Sequence, residues 1–227
     1  MYIQITERCN MECEHCCSSC GPKTGIHMPM AVFKKALDFC AENGDSPFIG
    51  GGEPTVHPKF WEFIGLVLGR AHELDTEYIS LITNGKKTED ALALANLAKR
   101  GVLGVGLSQD EFHEEIDERV VEAFTVDKGY PSIYSNDRDH DHRWIHGDNG
   151  RGYRTVYPTG RGKDCATEEG CVCEDLQVDP HGRIWACGCK TKQFGTLDNP
   201  DIPADYQHEC WETMKERREE EREVACA

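Results

Sequence analysis

Residues 9–20 read Cys9-Asn-Met-Glu-Cys13-Glu-His-Cys16-Cys17-Ser-Ser-Cys20 and follow the short alternating run Tyr2-Ile-Gln-Ile-Thr6. Five of the thirteen cysteines fall in this one stretch. Soft thiolate ligands select iron–sulfur clusters or zinc, so so many cysteines just after a strand read as a metal cradle. The spacing narrows the reading. Cys9-x3-Cys13-x2-Cys16 departs from the C-x2-C-x2-C-x3-C run of bacterial ferredoxins, and Gly21 follows Cys20 where that run has proline. Three thiolates hold three irons of a cubane and leave the fourth iron open to a small molecule. The alternative is a closed four-thiolate site, zinc or ferredoxin-like, with Cys20 as the fourth ligand.

Downstream, the chain repeats a strand–loop–helix unit. Met30–Ala41 carries apolar residues at helical intervals and stops at Asn43-Gly44, as helix C-termini do. Cys40 lies on that apolar face and reads as core packing. Ser46–Gly50 reads as a strand running into Gly51-Gly52-Glu53-Pro54-Thr55, followed by a helix over Pro58–Arg70. Glu77–Thr83 is the next strand, Asn84-Gly85 its loop and Thr88–Arg100 its helix, with a cap expected around Thr88 and Asp90. Gly101–Ser108 then leads into Gln109-Asp110-Glu111-Phe112-His113 and a helix over Glu114–Phe124.

This alternation implies right-handed crossovers and a parallel α/β sheet, open or curled into a partial barrel of about six strands, with chemistry at the strands' carboxyl ends. Pro131–Tyr134 and Tyr153–Tyr157 read as the fifth and sixth strands, separated by a polar loop over Asp137–Gly152. His140, His142 and His146 in that loop invite a metal, but no helix fixes their spacing. A solvated loop is the plainer reading.

From Pro158-Thr-Gly-Arg-Gly162 onward the composition changes, with cysteines at 165, 171, 173, 187, 189, 210 and 226. A boundary is placed here, giving a core over 1–160 and a Cys-rich extension over 161–227. Cys171–Cys189 reads as a hairpin turning at Pro180-His181-Gly182, with a Cys-x-Cys pair on each side. Tyr206–Val224 reads as a charged surface helix.

Composition sets outer limits. The net charge of −16 argues against a general nucleic-acid groove, because affinity for phosphate backbones comes from clustered Lys and Arg. It leaves a single nucleotide open as substrate. No stretch approaches the roughly 20 apolar residues of a membrane span. The start Met-Tyr-Ile-Gln-Ile-Thr lacks the basic and apolar regions of an export signal, so a reducing, cytoplasmic compartment is expected.

The spacing Cys9-x3-Cys13-x2-Cys16, followed one strand later by Gly51-Gly52-Glu53-Pro54, resembles the radical S-adenosylmethionine superfamily. His15 stands where that family usually has an aromatic residue. The resemblance implies a [4Fe–4S] cluster on Cys9, Cys13 and Cys16, with Cys17 and Cys20 outside the ligand set. It implies S-adenosylmethionine as cofactor, one-electron cleavage to a 5′-deoxyadenosyl radical, and hydrogen abstraction from a substrate. An external electron donor of flavodoxin or ferredoxin type goes with it.

By the same resemblance, Glu53 accepts the methionyl ammonium, with backbone freedom at Gly51 and Gly52 allowing the approach. Thr83, Asn84, Ser108 and Asp110 hydrogen-bond the ribose and carboxylate; Asp110 alternatively caps the next helix. Arg138 and the backbone of Val156–Pro158 contact carboxylate and adenine.

The tail pattern Cys171-x10-Gly182-x4-Cys187, then Gly195-Thr-Leu-Asp, resembles SPASM or Twitch extensions. That implies one auxiliary cluster on Cys171, Cys173, Cys187 and Cys189, with Cys165 or Cys210 as substitutes and zinc as the alternative metal. A Twitch-like tail favours a peptide or protein side chain as substrate, although no peptide-binding domain is expected ahead of Tyr2. A nucleotide or modified nucleobase is the second substrate class, compatible with a compact, phage-encoded enzyme. A non-catalytic iron–sulfur or zinc protein explains the cysteines but gives Gly51-Gly52-Glu53-Pro54 no purpose.

Overall fold

The computed structural model describes residues 1–74, 79–110, 112–125, 142–146, 160–164, 176–188, 190, 192–204 and 206. Four strand–helix units open the chain. Strand β1 is Tyr2–Gln4, helix α1 Met30–Asn43, β2 Phe48–Gly50, α2 Phe60–Gly69, β3 Ser80–Thr83, α3 Thr88–Lys99, β4 Gly104–Ser108 and α4 Glu118–Phe124. A fifth strand, β5 (Arg143–His146), pairs parallel with β4. The remaining strands are β6 (Gln177–Val178), β7 (Arg183–Trp185), β8 (Gln193–Thr196) and β9 (Asn199–Pro200).

One sheet holds all nine, in the order β5-β4-β3-β2-β1-β6-β7-β8-β9. Strands β1 to β5 are parallel neighbours, and β6 is parallel to β1 with Tyr2 opposite Gln177. The β6–β7 hairpin expected at Pro180-His181-Gly182 is antiparallel. Because Tyr2 N–H donates to the Leu176 carbonyl at 2.8 Å, that hairpin extends the same sheet across residue 160.

The core lies between the sheet and its helices. Ile3, Ile49, Leu81, Val105 and Leu107 are fully buried on the strand faces, alternating with residues of the opposite face. Phe33 of α1 stacks on Phe63 of α2, ring centroids 4.1 Å apart. Burying each such ring contributes about 1.5–3 kcal/mol. Helix α1 ends as its sequence implies: Gly44 has φ 64°, and the Asp45 N–H returns to the Cys40 carbonyl at 2.9 Å. Cys40 is buried in this core, and burial pushes its thiol up to about 12.

Several expectations are corrected. The stretch read as a polar loop over 137–152 contains β5, whose short Arg-Trp-Ile-His run adds a parallel strand beside β4. Helix α3 has no side-chain cap. Asp90 is instead engaged by Lys87 at 2.6 Å and by the Trp61 indole N–H at 2.8 Å. Helix α4 begins at Glu118 rather than Glu114, because the Asp117 carboxylate caps it by accepting from Arg119 N–H at 3.0 Å. The expected strands 131–134 and 153–157, the charged helix after Tyr206, and Arg138, His140, Cys165, Cys171, Cys173, Cys189 and Cys210 lie outside the described residues.

Candidate active site

Parallel strands place their carboxyl ends on one edge, and four loops meet there. The cysteine stretch follows β1, Gly51-Gly52-Glu53-Pro54 follows β2, Asn84-Gly85 follows β3, and Gln109 to His113 follow β4. The first two loops are stitched together by backbone. Gly52 N–H donates to Thr6 O at 2.7 Å and Glu53 N–H to Arg8 O at 2.9 Å. A Cβ at Gly52 would sit 2.3 Å from the Arg8 carbonyl oxygen, and one at Gly51 2.8 Å from that of Thr6. The closeness of these two loops therefore requires both glycines.

Glu53 is 1% exposed. Its Oε1 accepts from Thr55 N–H (3.0 Å), Thr55 Oγ1 (2.7 Å) and Thr83 Oγ1 (2.8 Å), and its Oε2 from Asn84 N–H (2.7 Å). Burial pushes its carboxyl up from the ordinary value, against hydrogen bonds that favour the anion. A carboxylate has about four acceptor sites, and four donors fill them. Glu53 thereby ties the loop after β2 to the loop after β3.

Asn84 continues the chain of contacts to the cysteines. Its Nδ2 donates to Asn10 Oδ1 at 2.9 Å and approaches Cys9 Sγ at 3.6 Å. Lys86 Nζ donates to the Asn10 carbonyl at 3.0 Å. Asn84 thus ties the loop after β3 to the cysteine stretch, while the Thr83 hydroxyl is spent on Glu53.

In that stretch, Met11 N–H donates to Cys9 Sγ at 3.4 Å and Cys20 N–H to Cys16 Sγ at 3.3 Å. Burial pushes the Cys9 thiol up to about 12, and the neighbouring charges of Glu53, Cys13 and Cys16 add to it. Burial also raises Cys13. Cys16 goes the other way, held down by the hydrogen bond from Cys20, which is raised in turn. Cys20 is buried, its Sγ 3.8 Å from the Ser18 carbonyl and 4.0 Å from Gln4 Nε2.

Across the mouth, Asp110 is almost enclosed. Phe112 N–H donates to its Oδ1 at 2.9 Å, His113 Nδ1 lies 2.8 Å from Oδ1, and His15 Nε2 lies 4.0 Å from Oδ2. Asp110 therefore closes its own loop and does not cap α4. Ser108 Oγ is 3.2 Å from His113 Nε2. The His15 ring packs against Phe112 and His113, with centroids 5.2 and 5.0 Å away.

Three cysteines in one loop, the Sγ atoms of two of them already taking backbone N–H donors, fit the donor set of an iron–sulfur cluster. Cys187, at the end of the hairpin, is buried. The Lys190 N–H bonds its carbonyl at 3.0 Å, and Lys190 Nζ reaches Gln4 Oε1 at 2.6 Å. The hairpin end thus touches β1 below the cysteine stretch.

Sequence reasoning gave no role to Asn10, Thr55, His113, Arg161 or Asp179. Asp179 had a local signal, since Asp-Pro-x-Gly is a turn sequence. Asn10 and Arg161 act through partners distant in the chain, and Thr55 and His113 act on carboxylates two and three positions away.

Residues 3–128, more than half the chain, match the profile of the Radical SAM superfamily. A tungsten-containing aldehyde ferredoxin oxidoreductase cofactor-modifying protein of Pyrococcus furiosus is 34% identical over 113 residues, 48% of this chain and 30% of that one. AlbA of Bacillus subtilis, an antilisterial bacteriocin subtilosin biosynthesis protein, is 29% identical over 50% of this chain and 25% of its own. An S-adenosylmethionine-dependent nucleotide dehydratase of a Thermoplasmatales archaeon is 34% identical over 49% of this chain and 38% of its own. The chain thus spans well under half the length of these relatives. In fold it is similar to BtrN in complex with AdoMet and 2-DOIA, with a TM-score of 0.57 at 13% identity over 87% of this chain and 77% of that one. A cysteine stretch, a Gly-Gly-Glu-Pro loop and a parallel sheet that brings them to one edge go with a family match over half the sequence: this chain is a member of the radical S-adenosylmethionine superfamily of enzymes.

Proposed function

We propose that this enzyme modifies a peptide or protein side chain, and that Cys9, Cys13 and Cys16 are the ligands of its radical cluster. The observation that carries the substrate class is the identity to AlbA, which acts in making a bacteriocin, a peptide product. Cys9, Cys13 and Cys16 would hold a [4Fe–4S] cluster that would supply one-electron reductive cleavage of S-adenosylmethionine, the electron coming from an external flavodoxin- or ferredoxin-type protein.

The chain's own residues bind and orient. Cys9, Cys13 and Cys16 would hold the cluster as thiolates, so each thiol would give up its proton on loading. Gly51 and Gly52 present backbone to the methionyl end, while Glu53 acts through Thr83 and Asn84 to keep the loops together. Ser108, Asp110 and His15 line the opposite side of the mouth, where they suit ribose hydroxyls and exclude water. Arg138 belongs to the same proposal as a carboxylate contact. An auxiliary cluster on Cys171, Cys173, Cys187 and Cys189 is supported by the cysteine pairs that flank an observed hairpin.

A second reading has its own observation. The 34% identity to a nucleotide dehydratase favours a nucleotide substrate instead. Reduced, reconstituted enzyme with S-adenosylmethionine is offered peptide and nucleotide fractions of a deuterated cell extract. Deuterium entering 5′-deoxyadenosine from the peptide fraction alone is expected; transfer from the nucleotide fraction alone would overturn the peptide reading.

A further inference from the structure

The cysteine stretch is braced from far along the chain. Arg161, in the short turn Gly160–Asp164, donates from Nε to the Cys13 carbonyl at 3.0 Å and from Nη2 to the Cys20 carbonyl at 2.6 Å. Its backbone N–H donates to the Cys16 carbonyl at 3.0 Å. One residue thus takes three carbonyls of the stretch, two of them on a planar fork whose geometry fixes their separation. Gly160 permits the approach: its φ is 59°, and a Cβ there would lie 2.3 Å from the Cys17 carbonyl oxygen.

Nothing regular spans Cys13–Cys20, which consists of turns. Its internal backbone bonds are few, Cys16 N–H to Cys13 O at 3.2 Å and Ser19 N–H to Cys16 O at 3.1 Å. The shape that lets several thiolates face one metal group therefore depends on outside ties. Asn84 supplies one at the Cys9 end, and Arg161 supplies the other. The match to the family profile stops at residue 128, so this tie lies beyond it.

We infer that Arg161 is a positioning residue for the radical cluster: its fork sets the spread of the Cys13–Cys20 stretch, and its fixed charge offsets negative charge that thiolate ligands bring. The inference rests on Cys9, Cys13 and Cys16 being the ligands. Cluster potentials follow net charge and hydrogen bonding, so such a residue acts on potential as well as on retention.

Parent, Arg161→Met, Arg161→Lys and Gly160→Ala are reconstituted anaerobically and compared by iron and sulfide content, iron loss to a chelator, and EPR-monitored potentiometry. The radical cluster is identified by the signal that changes on adding S-adenosylmethionine. Arg161→Met is expected to lose iron about tenfold faster or more, as for other residues that orient ligands, and to be reduced at a more negative potential. Arg161→Lys and Gly160→Ala, which keep the charge but disturb the fork or its approach, are expected to lose iron faster at the parental potential.

Arg161→Met matching the parent in both readouts would overturn the inference. So would faster iron loss by Arg161→Met at the parental potential, the mark of a merely structural brace. Should Arg161→Met fail to fold, iron retention equal to the parent's in both other variants would overturn it as well. A parent that assembles no S-adenosylmethionine-responsive cluster would instead defeat the ligand assignment.

Discussion

The chain has two cysteine-rich regions, and they are held together by different chemistry. In the stretch over 9–20, backbone and side-chain donors converge on sulfur and on the carbonyls between the cysteines, from Asn84 on one side and Arg161 on the other. In the hairpin, the centre is a carboxylate. Asp179 is fully buried, and it accepts from His181 N–H (3.0 Å), Arg183 N–H (3.1 Å), Arg183 Nε (2.7 Å) and Trp185 Nε1 (2.9 Å). Cysteine density alone does not tell these regions apart. One is a loop shaped to present thiolates; the other is a turn that closes on its own aspartate.

The sharpest way to separate the regions is to count metal. A triple Cys9/Cys13/Cys16→Ala variant should lose all iron that responds to S-adenosylmethionine, yet keep about four irons if the tail carries a cubane. One zinc retained in parent and variant alike would put zinc in the tail instead. Iron absent from both regions of the variant, with no zinc, would remove the auxiliary site.

Next comes folding. Asp179→Ala leaves several buried donors without an acceptor and should destabilise the protein by about 3 kcal/mol or more. Denaturant unfolding of the apoprotein checks this, because a hairpin that needed metal would show little difference between Asp179→Ala and parent. Glu53→Gln replaces one acceptor by a donor facing Thr and Asn donors, and should cost about 2 kcal/mol. A stability equal to the parent's, with S-adenosylmethionine affinity lost, would restore Glu53 as a direct ligand of the ammonium.

The smallest effect is a pH dependence. His57 Nε2 donates to the Met28 carbonyl at 3.0 Å, while its Nδ1 accepts from Lys59 N–H at 3.0 Å, so the fold uses the neutral ring. Burial holds its pKa below the ordinary value. The unfolded chain then binds more protons as pH falls, so this contribution is complete above the ordinary histidine value of about 6.5 and is lost as pH drops through the lower folded value. His57→Gln should flatten the acid limb of the stability curve by about 1 kcal/mol. An unchanged limb would assign acid sensitivity elsewhere.

Much of the sheet is readable because buried parallel strands must be apolar on the helix-facing side: Ile3, Ile49, Leu81 and Val105 mark four of them. Strand β5 escaped because Arg143-Trp-Ile-His is short and sits among Asp, His and Arg, where no alternation extends beyond Ile145. The cap of α3 misled because Asp90 is spent on Trp61 and Lys87. In the site, residue types that speak for themselves were legible, the cysteines and the Gly-Gly-Glu-Pro loop. Roles set by convergence were not. The saturation of Glu53 needs Thr55, Thr83 and Asn84 to meet, and Arg161 reaches carbonyls 141 and 148 positions away.

The central claim is that three thiolates, and not four, hold the cluster that cleaves S-adenosylmethionine. Its most direct test is 5′-deoxyadenosine released by reduced, reconstituted parent, Cys9→Ala, Cys13→Ala, Cys16→Ala, Cys17→Ala and Cys20→Ala. Release is expected from the parent, Cys17→Ala and Cys20→Ala, and from none of the other three. Loss of release in Cys20→Ala together with loss of the same iron as in Cys13→Ala would contradict the open-site account and make Cys20 the fourth ligand.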